Sequence, residues 1–155
     1  MGESMRCVLL PGERNHCEMN PAITLSSVKE SIAYCGLICK LCFLASKCDG
    51  CKTEFNRCER NLSEEGCIQK SCCGERGFEG CWQCQDLKNC THGIYSLGDY
   101  SKVKAFAICI QEDGIDAFVG YVLRNQSMGL NIEKGGDYDG RLIPSVLKML
   151  RTGQE

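Results

Sequence analysis

Hydrophobic positions recur at helical spacing in the last part of the chain, residues 94–155. One stretch begins after Ser101, a candidate N-cap, and is broken by Asp113-Gly114. A second ends near Met128-Gly129, and a third spans Leu142–Arg151 after a polar turn at 133–140. Their apolar positions are Val103, Phe106, Ala107 and Ile110; Ile115, Phe118, Val119, Val122 and Leu123; and Ile143, Val146, Leu147 and Leu150. The pattern predicts three amphipathic helices that form the hydrophobic core.

The preceding section, residues 31–93, has no long periodic run and is rich in Gly, Lys, Glu and Asn, so loops and one-turn helices are expected. Two weak helix candidates are Gly36–Ala45 and Ser63–Cys73, the second with an acidic first turn suited to the helix dipole. Residues 1–30 are interpreted as an N-terminal extension, in which Asn20-Pro21 could open a short helix through Val28. One domain overall is expected from 155 residues.

Cysteine changes this picture, because the chain has 15 of them and twelve lie between Cys35 and Cys90. A disulfide framework and metal thiolates are the two alternatives. The N-terminus has only a short apolar stub before Pro11, less than the roughly 7–15 residues of a secretory signal. We therefore expect a soluble, cytoplasmic protein, where disulfides are disfavoured. The odd cysteine count also fits disulfides poorly, which leaves metal as the favoured interpretation and redox-active dithiols as a minority one.

The spacing of the cysteines is typical of metal ligands. A two-residue gap lets both sulfurs of a CxxC turn face one ion, and two such turns complete a tetrahedral thiolate site. Gly50 tolerates the tight backbone of such a turn, and Trp82 could cover the other turn from water. The predicted metal ligands are Cys35, Cys39, Cys42, Cys48, Cys51, Cys67, Cys72, Cys81, Cys84 and Cys90.

Other cysteines and the histidines have simpler interpretations. Cys7, Cys17 and Cys109 are expected to be small buried hydrophobes, and Cys109 lies on an apolar helix face. The roles of Cys58 and Cys73 stay open. His92 could replace a thiolate ligand, but a solvent-exposed loop histidine is favoured over that role.

Zinc is favoured over iron–sulfur because CxxC knuckles occur in pairs. The triad Cys35-x3-Cys39-x2-Cys42 is the best argument for a [4Fe-4S] cluster, since radical S-adenosylmethionine enzymes use that spacing. Such enzymes need a partial α/β barrel, for which this chain is too short. A bacterial ferredoxin pattern would place proline after its last cysteine, and no proline lies in this section.

Several function classes are disfavoured. The net charge of −2 and the lack of aromatic residues among basic ones argue against nucleic acid. No apolar run approaches the ~20 residues of a membrane span. Triad hydrolysis has no support, and Asp137-Tyr138-Asp139-Gly140 is interpreted as a turn because the EF-hand spacing is missing. Another protein could bind the helical half, and a small-molecule substrate is unknown.

The residues Tyr34-Cys35-Gly36-Leu37-Ile38-Cys39-Lys40-Leu41-Cys42, the Cys48-x-Gly50-Cys51 knuckle, Cys67-x4-Cys72 and Cys81-x2-Cys84 with Cys90 carry a resemblance. The chain resembles a cysteine-rich bacterial and archaeal family catalogued as domain of unknown function 3795, over roughly residues 31–152. The resemblance implies zinc binding by the ten cysteines named above and no assigned activity. This sequence departs from the family pattern by lacking proline after the knuckles and by adding Cys58 and Cys73.

The sequence thus predicts a small, metal-stabilised, mainly α protein, with an irregular Cys-rich section of short helices followed by about three amphipathic helices. Its expected function is non-enzymatic zinc binding through multiple thiolates, with an iron–sulfur protein in electron transfer or as accessory to a redox enzyme as the alternative. A third hypothesis is an enzyme in which Cys73 or Cys58 is a reactive thiol.

Overall fold

The structure is a computed structural model that describes residues 24–42, 50–52, 66–133 and 135–155. Its α-helices are α1 (Leu25–Glu30), α2 (Ile68–Arg76), α3 (Ser101–Asp113), α4 (Ile115–Ser127) and α5 (Ile143–Thr152). Single-turn 3-10 helices occupy Cys39–Leu41, Cys81–Gln83, Leu87–Asn89, Gly93–Ser96 and Gly98–Tyr100. Within these ranges there is no strand beyond an isolated antiparallel bridge between Ile32 and Ile38. The predicted mainly α class is confirmed.

The core is built by α3, α4 and α5, which pack on one another as their apolar faces predict. Phe106 of α3 is fully buried, with its ring centroid 5.5 Å from that of Phe118 and 6.1 Å from that of Tyr138. Such aromatic pairs stabilise a core by about 0.5–1.5 kcal/mol beyond the area they bury. None of the described helices has the length and apolarity that crossing a membrane requires.

The turn between α4 and α5 is closed by a buried charged side chain. Lys102 is only 2% exposed, yet its ammonium pairs with the Asp139 carboxylate and donates to the carbonyls of Ile132 and Glu133. Tyr138 in the same turn accepts a hydrogen bond from buried Asn125 at 2.8 Å. The interpretation of 137–140 as a turn between helices is confirmed.

Two predicted helices in the cysteine-rich section have wrong bounds. Of Gly36–Ala45, the described residues 36–42 contain only the 3-10 turn Cys39–Leu41, because Ile32 and Ile38 form a bridge that takes this segment out of helical geometry. The second helix begins at Ile68 instead of Ser63, since Gly66 has a φ of +98° and Cys67 is extended. The acidic residues 63–65, expected in its first turn, lie outside the described residues.

The starts of two other helices also differ from their predicted positions. Ser101 is the first residue of α3 rather than its N-cap, because the 3-10 turn Gly98–Tyr100 runs directly into the helix. Its hydroxyl donates to the Arg141 carbonyl at 2.7 Å. The short N-terminal helix begins at Leu25, where Thr24 caps it by accepting from the Ser27 N–H. Val28, which falls in the predicted extension, is fully buried in the core.

Candidate metal-thiolate centre

The loop that carries Cys35 packs directly against α3. Cys35 lies in the loop closed by Ile32 and Ile38, and its carbonyl accepts from the Tyr95 hydroxyl at 2.8 Å. Gly36 beside it has a φ of +96°, and a Cβ there would lie 2.7 Å from the Ala107 backbone nitrogen. Only glycine allows the loop to approach the helix so closely.

A first group of thiols forms where this loop meets the turn at Gly50 and Cys51. Gly50 has a φ of +82°, as predicted for a tight knuckle, and a Cβ on it would lie 3.7 Å from the Cys39 sulfur. The Cys51 sulfur accepts a hydrogen bond from the Tyr34 N–H at 3.4 Å. Thus a cysteine of the first triad and the knuckle meet, although they are separated in the sequence.

The charge of Cys67, at the start of α2, also acts on the thiols of this first group. Burial raises the pKa of the Cys35 thiol well above its ordinary value, and the charges of Cys51, Cys67 and Cys39 raise it further. Burial likewise raises the pKa of the Cys51 thiol, with the charge of Cys67 adding to it. Thiols from three separate segments therefore act on one another, and we call Cys35, Cys39, Cys51 and Cys67 the first thiol group; the charge of Cys67 also acts on Cys73 of α2.

A cation lies at the edge of the first thiol group. The Lys52 ammonium is 5.3 Å from the Tyr34 ring centroid and 5.2 Å from that of Trp82. Its charge lowers the pKa of Cys51, against the larger effect of burial. Trp82 is 8% exposed and packs over Gly80, where a Cβ would meet its ring at 2.2 Å.

A second thiol group forms between α2 and the Cys81–Cys84 turn. The sulfurs of Cys73 and Cys81 are 3.8 Å apart, and both residues are buried. The Cys84 sulfur accepts from an Arg76 guanidinium nitrogen at 3.5 Å. The charges of Cys72 and Cys84 act on Cys73. The second thiol group is accordingly Cys72, Cys73, Cys81 and Cys84.

The thiols of Cys73 and Cys81 share a hydrogen bond. Because one thiolate can accept from the other thiol, the pKa of Cys73 is lowered and that of Cys81 is raised. Burial is the largest cause that raises the pKa of the Tyr95 hydroxyl, and the charge of Cys81 adds to it. This hydrogen bond therefore favours deprotonation of Cys73 and disfavours that of Cys81.

Polar side chains from the helices hold the backbone around the second group. Gln111 of α3 donates to the carbonyls of Trp82 and Cys84, at 3.0 and 2.8 Å. Lys104 of α3 donates to the Cys90 carbonyl at 2.7 Å. Gln69 of α2 donates to the His92 carbonyl, also at 2.7 Å. These contacts use backbone carbonyls as acceptors, so they fix the turns without occupying the sulfurs.

Not every predicted ligand can be assigned to a group. Cys42 ends the first 3-10 turn and Cys90 follows the turn Leu87–Asn89, both half-buried. Cys48 lies outside the described residues, as do Cys7, Cys17 and Cys58. Cys109 is fully buried on the apolar face of α3, where burial raises the pKa of its thiol to about 12, and packing accounts for it as predicted. His92 is exposed, also as predicted.

Sequence reasoning left one residue of the site open and missed others. The sequence leaves the role of Cys73 open, and the Cys72-Cys73 doublet is the sequence feature that could have drawn attention to it. Its position on the buried face of α2 is what brings it next to Cys81. The roles of Tyr95, Gln69, Lys104 and Gln111 had no sequence signal, because hydrogen bonds to distant carbonyls depend on how the helices pack.

The donor chemistry suits a soft, thiophilic ion. All eleven described cysteines are thiols, and thiolate ligands select zinc, copper(I) or iron–sulfur clusters. Among the residues that the structure describes, no three His, Cys, Asp or Glu side chains form a group that could hold one ion. A closed four-thiolate site therefore needs rotation of the thiols within each group, with or without a thiol from outside the described ranges such as Cys48.

Comparison with known proteins adds no further assignment. No protein-family model, no curated protein and no solved structure matches the chain. The family resemblance of the cysteine pattern consequently stays a prediction.

Proposed function

We propose that this chain is a non-enzymatic metal-thiolate protein in which cysteines hold zinc as a structural ion. The observation that supports this most directly is that cysteines from separate segments lie together, as Cys39 does with the Gly50 turn and Cys73 with Cys81. Burial of apolar thiols alone would explain single residues such as Cys109, but it does not explain why half-buried and buried thiols collect around polar, glycine-containing turns.

In this proposal the first thiol group would supply ligands to one ion and the second thiol group would supply ligands to another. Cys42, Cys48 and Cys90 are the further ligands available to complete four-coordinate sites. Zinc would supply no redox chemistry; it would neutralise thiolates that burial disfavours and cross-link loops that lack regular secondary structure. The resemblance to the cysteine-rich family named above supports these ligands with the exception of Cys73, which the family pattern lacks. A reducing cytoplasmic setting belongs to the proposal, because the thiolates must stay reduced.

The test is anaerobic purification from metal-replete cells, followed by elemental analysis and a visible spectrum. We expect about two equivalents of zinc, since eight thiolates fill two four-coordinate sites, and no visible absorption. Iron with acid-labile sulfide and broad visible absorption would replace zinc with the iron–sulfur alternative, with Cys35, Cys39 and Cys42 as its first ligands. Protein without either metal would contradict both.

A pair of variants separates ligation from packing. Cys51→Ser should lower the zinc content by about one equivalent, because a four-coordinate site would lose a thiolate. Cys109→Ser is the matched control, since it replaces another buried cysteine and should leave the zinc content unchanged. Equal zinc content in the two variants would remove Cys51 from the ligand set.

A further inference from the structure

We propose that Cys73, and not the adjacent Cys72, is the α2 ligand that shares an ion with Cys81. This inference rests on the metal-binding function proposed above and specifies one of its sites. The family resemblance points to Cys72, because Cys67-x4-Cys72 is the spacing that carries it. The geometry of α2 points to its neighbour instead.

The separation of the two sulfurs matches a tetrahedral site. With metal–sulfur bonds of about 2.3 Å, two thiolates on one tetrahedral ion lie about 3.8 Å apart. The sulfurs of Cys73 and Cys81 are 3.8 Å apart. An ion can therefore bridge this pair with both sulfurs at the separation that they already have.

The helix geometry assigns the pairing to one of two neighbouring cysteines. Successive residues of an α-helix point about 100° apart, so Cys72 and Cys73 cannot both face Cys81 in the same way. Cys73 lies on the buried face of α2 one turn after Gln69, which binds the His92 carbonyl. Cys72, about 100° away from Cys73 around the helix, is only half-buried.

The partner turn is fixed in place independently of the thiols. The Cys81 N–H donates to the Tyr34 carbonyl at 2.7 Å, and the Cys84 N–H closes the turn on the Cys81 carbonyl at 3.0 Å. Gln111 holds the carbonyls of Trp82 and Cys84. The rigid turn leaves the Cys81 sulfur facing α2, where Cys73 meets it.

The experiment loads the full wild-type chain with ¹¹³Cd, which replaces zinc in thiolate sites, and records a ¹¹³Cd–¹H correlation spectrum. Coupling through the metal–sulfur bond identifies each ligand by its β-protons without any mutation. We expect one ¹¹³Cd resonance to correlate with both Cys73 and Cys81. A resonance that correlates with Cys81 and Cys72, but not with Cys73, would overturn this inference and leave metal binding intact.

A matched pair of variants provides the second measurement. Cys73→Val and Cys72→Val each replace the thiol with a small apolar side chain, so a cysteine that only packs should tolerate the change. We expect Cys73→Val to bind about half as much cadmium as wild type and to lose the Cys81 correlation while keeping that of Cys51. Cys72→Val should keep the Cys81 correlation. Failure of wild-type protein to bind any cadmium would instead overturn the proposed function and this assignment with it.

Discussion

In residues 101–152 three helices bury apolar side chains against one another, whereas the cysteine turns between residues 80 and 93 are attached to those helices through backbone carbonyls. The first arrangement follows from amphipathic periodicity and is stabilised by removing apolar area from water. The second has little regular secondary structure, so its polar backbone groups must find partners on the side chains of α2 and α3.

The two regions also differ in the side chains that they bury. The helical region has a fully buried centre at Phe106, Phe118 and Val146. The buried apolar positions of the cysteine region include Cys51, Cys73 and Cys81 themselves. A region whose buried positions include several thiols would gain stability from an ion that joins them, whereas a core of aromatic and aliphatic side chains would not.

Removing the proposed metal ion should have the largest effect, because it should lower protection in the cysteine region far more than in the helical region. Binding of structural zinc by thiolate sites is worth about 10–16 kcal/mol in zinc-finger peptides. A strong chelator should therefore raise amide hydrogen exchange and proteolysis in residues 66–93, while amides of α3 and α5 stay protected. Complete removal of metal with no change in exchange would contradict a structural role for the ion.

Gly36→Ala tests the junction between the regions. The new Cβ would lie 2.7 Å from the Ala107 backbone nitrogen and would force a residue with a φ of +96° into strain. We expect a loss of about 2–4 kcal/mol in the free energy of unfolding, from overpacking together with the left-handed conformation. Urea unfolding followed by circular dichroism measures it.

The matched control for the junction is Gly120→Ala on α4. Nothing lies within 4 Å of a Cβ at Gly120, and the residue is in a helix interior. This variant should be neutral or up to about 1 kcal/mol more stable than wild type. Equal effects of the two substitutions would mean that the close approach to α3 has no energetic importance.

Gln111→Met should loosen the Cys81–Cys84 turn. The substitution keeps the side-chain length but leaves the carbonyls of Trp82 and Cys84 without their donor. We expect a loss of about 1–3 kcal/mol in stability, the usual cost of leaving such groups unpaired. Because Trp82 is the only tryptophan, its fluorescence should also shift. Gln126→Met on α4 is the control, with an expected change within about 0.5 kcal/mol.

Glu112→Gln should have the smallest effect and should depend on pH. Hydrogen bonds from Lys88 and Arg151 lower the pKa of the Glu112 carboxyl from its ordinary 4.5. A carboxyl with a lowered pKa in the folded state adds stability above the ordinary pKa and loses it as the pH falls through the folded one. Since Glu112 and its two partners are partly exposed, solvent screening limits the stability lost in the variant at pH 7 to under about 1 kcal/mol.

The measurement for Glu112 is urea unfolding of metal-free wild type and variant, from pH 7 to below 4. Metal-free protein separates this carboxyl from protonation of the thiolates, and it keeps the Arg151 pair because α3 and α5 are expected to stay folded without metal. The difference between the two proteins should be constant above pH 4.5 and should shrink below it. A difference that grows as the pH falls would contradict the assigned ion pair.

Local sequence signals determined the helical core of this protein. Apolar spacing and the break at Asp113-Gly114 located α3 and α4, and the stripe beginning at Leu142 located α5 to within a residue of each end. They succeeded because an amphipathic face needs only neighbouring residues three and four positions apart to be recognised. The sequence also marked the cysteines as candidate ligands and Cys109 as a packing residue, since each judgement depends on nearby residues.

Only the tertiary structure decided which thiols are neighbours. The meeting of Cys39 with the Gly50 turn and of Cys73 with Cys81 brings together residues from separate segments. That arrangement follows from the face α2 presents to the Cys81–Cys84 turn and from the contacts of Gly36, Lys104 and Gln111 with their distant partners. Spacing along the chain carries no information about such contacts, because they form only when the helices pack.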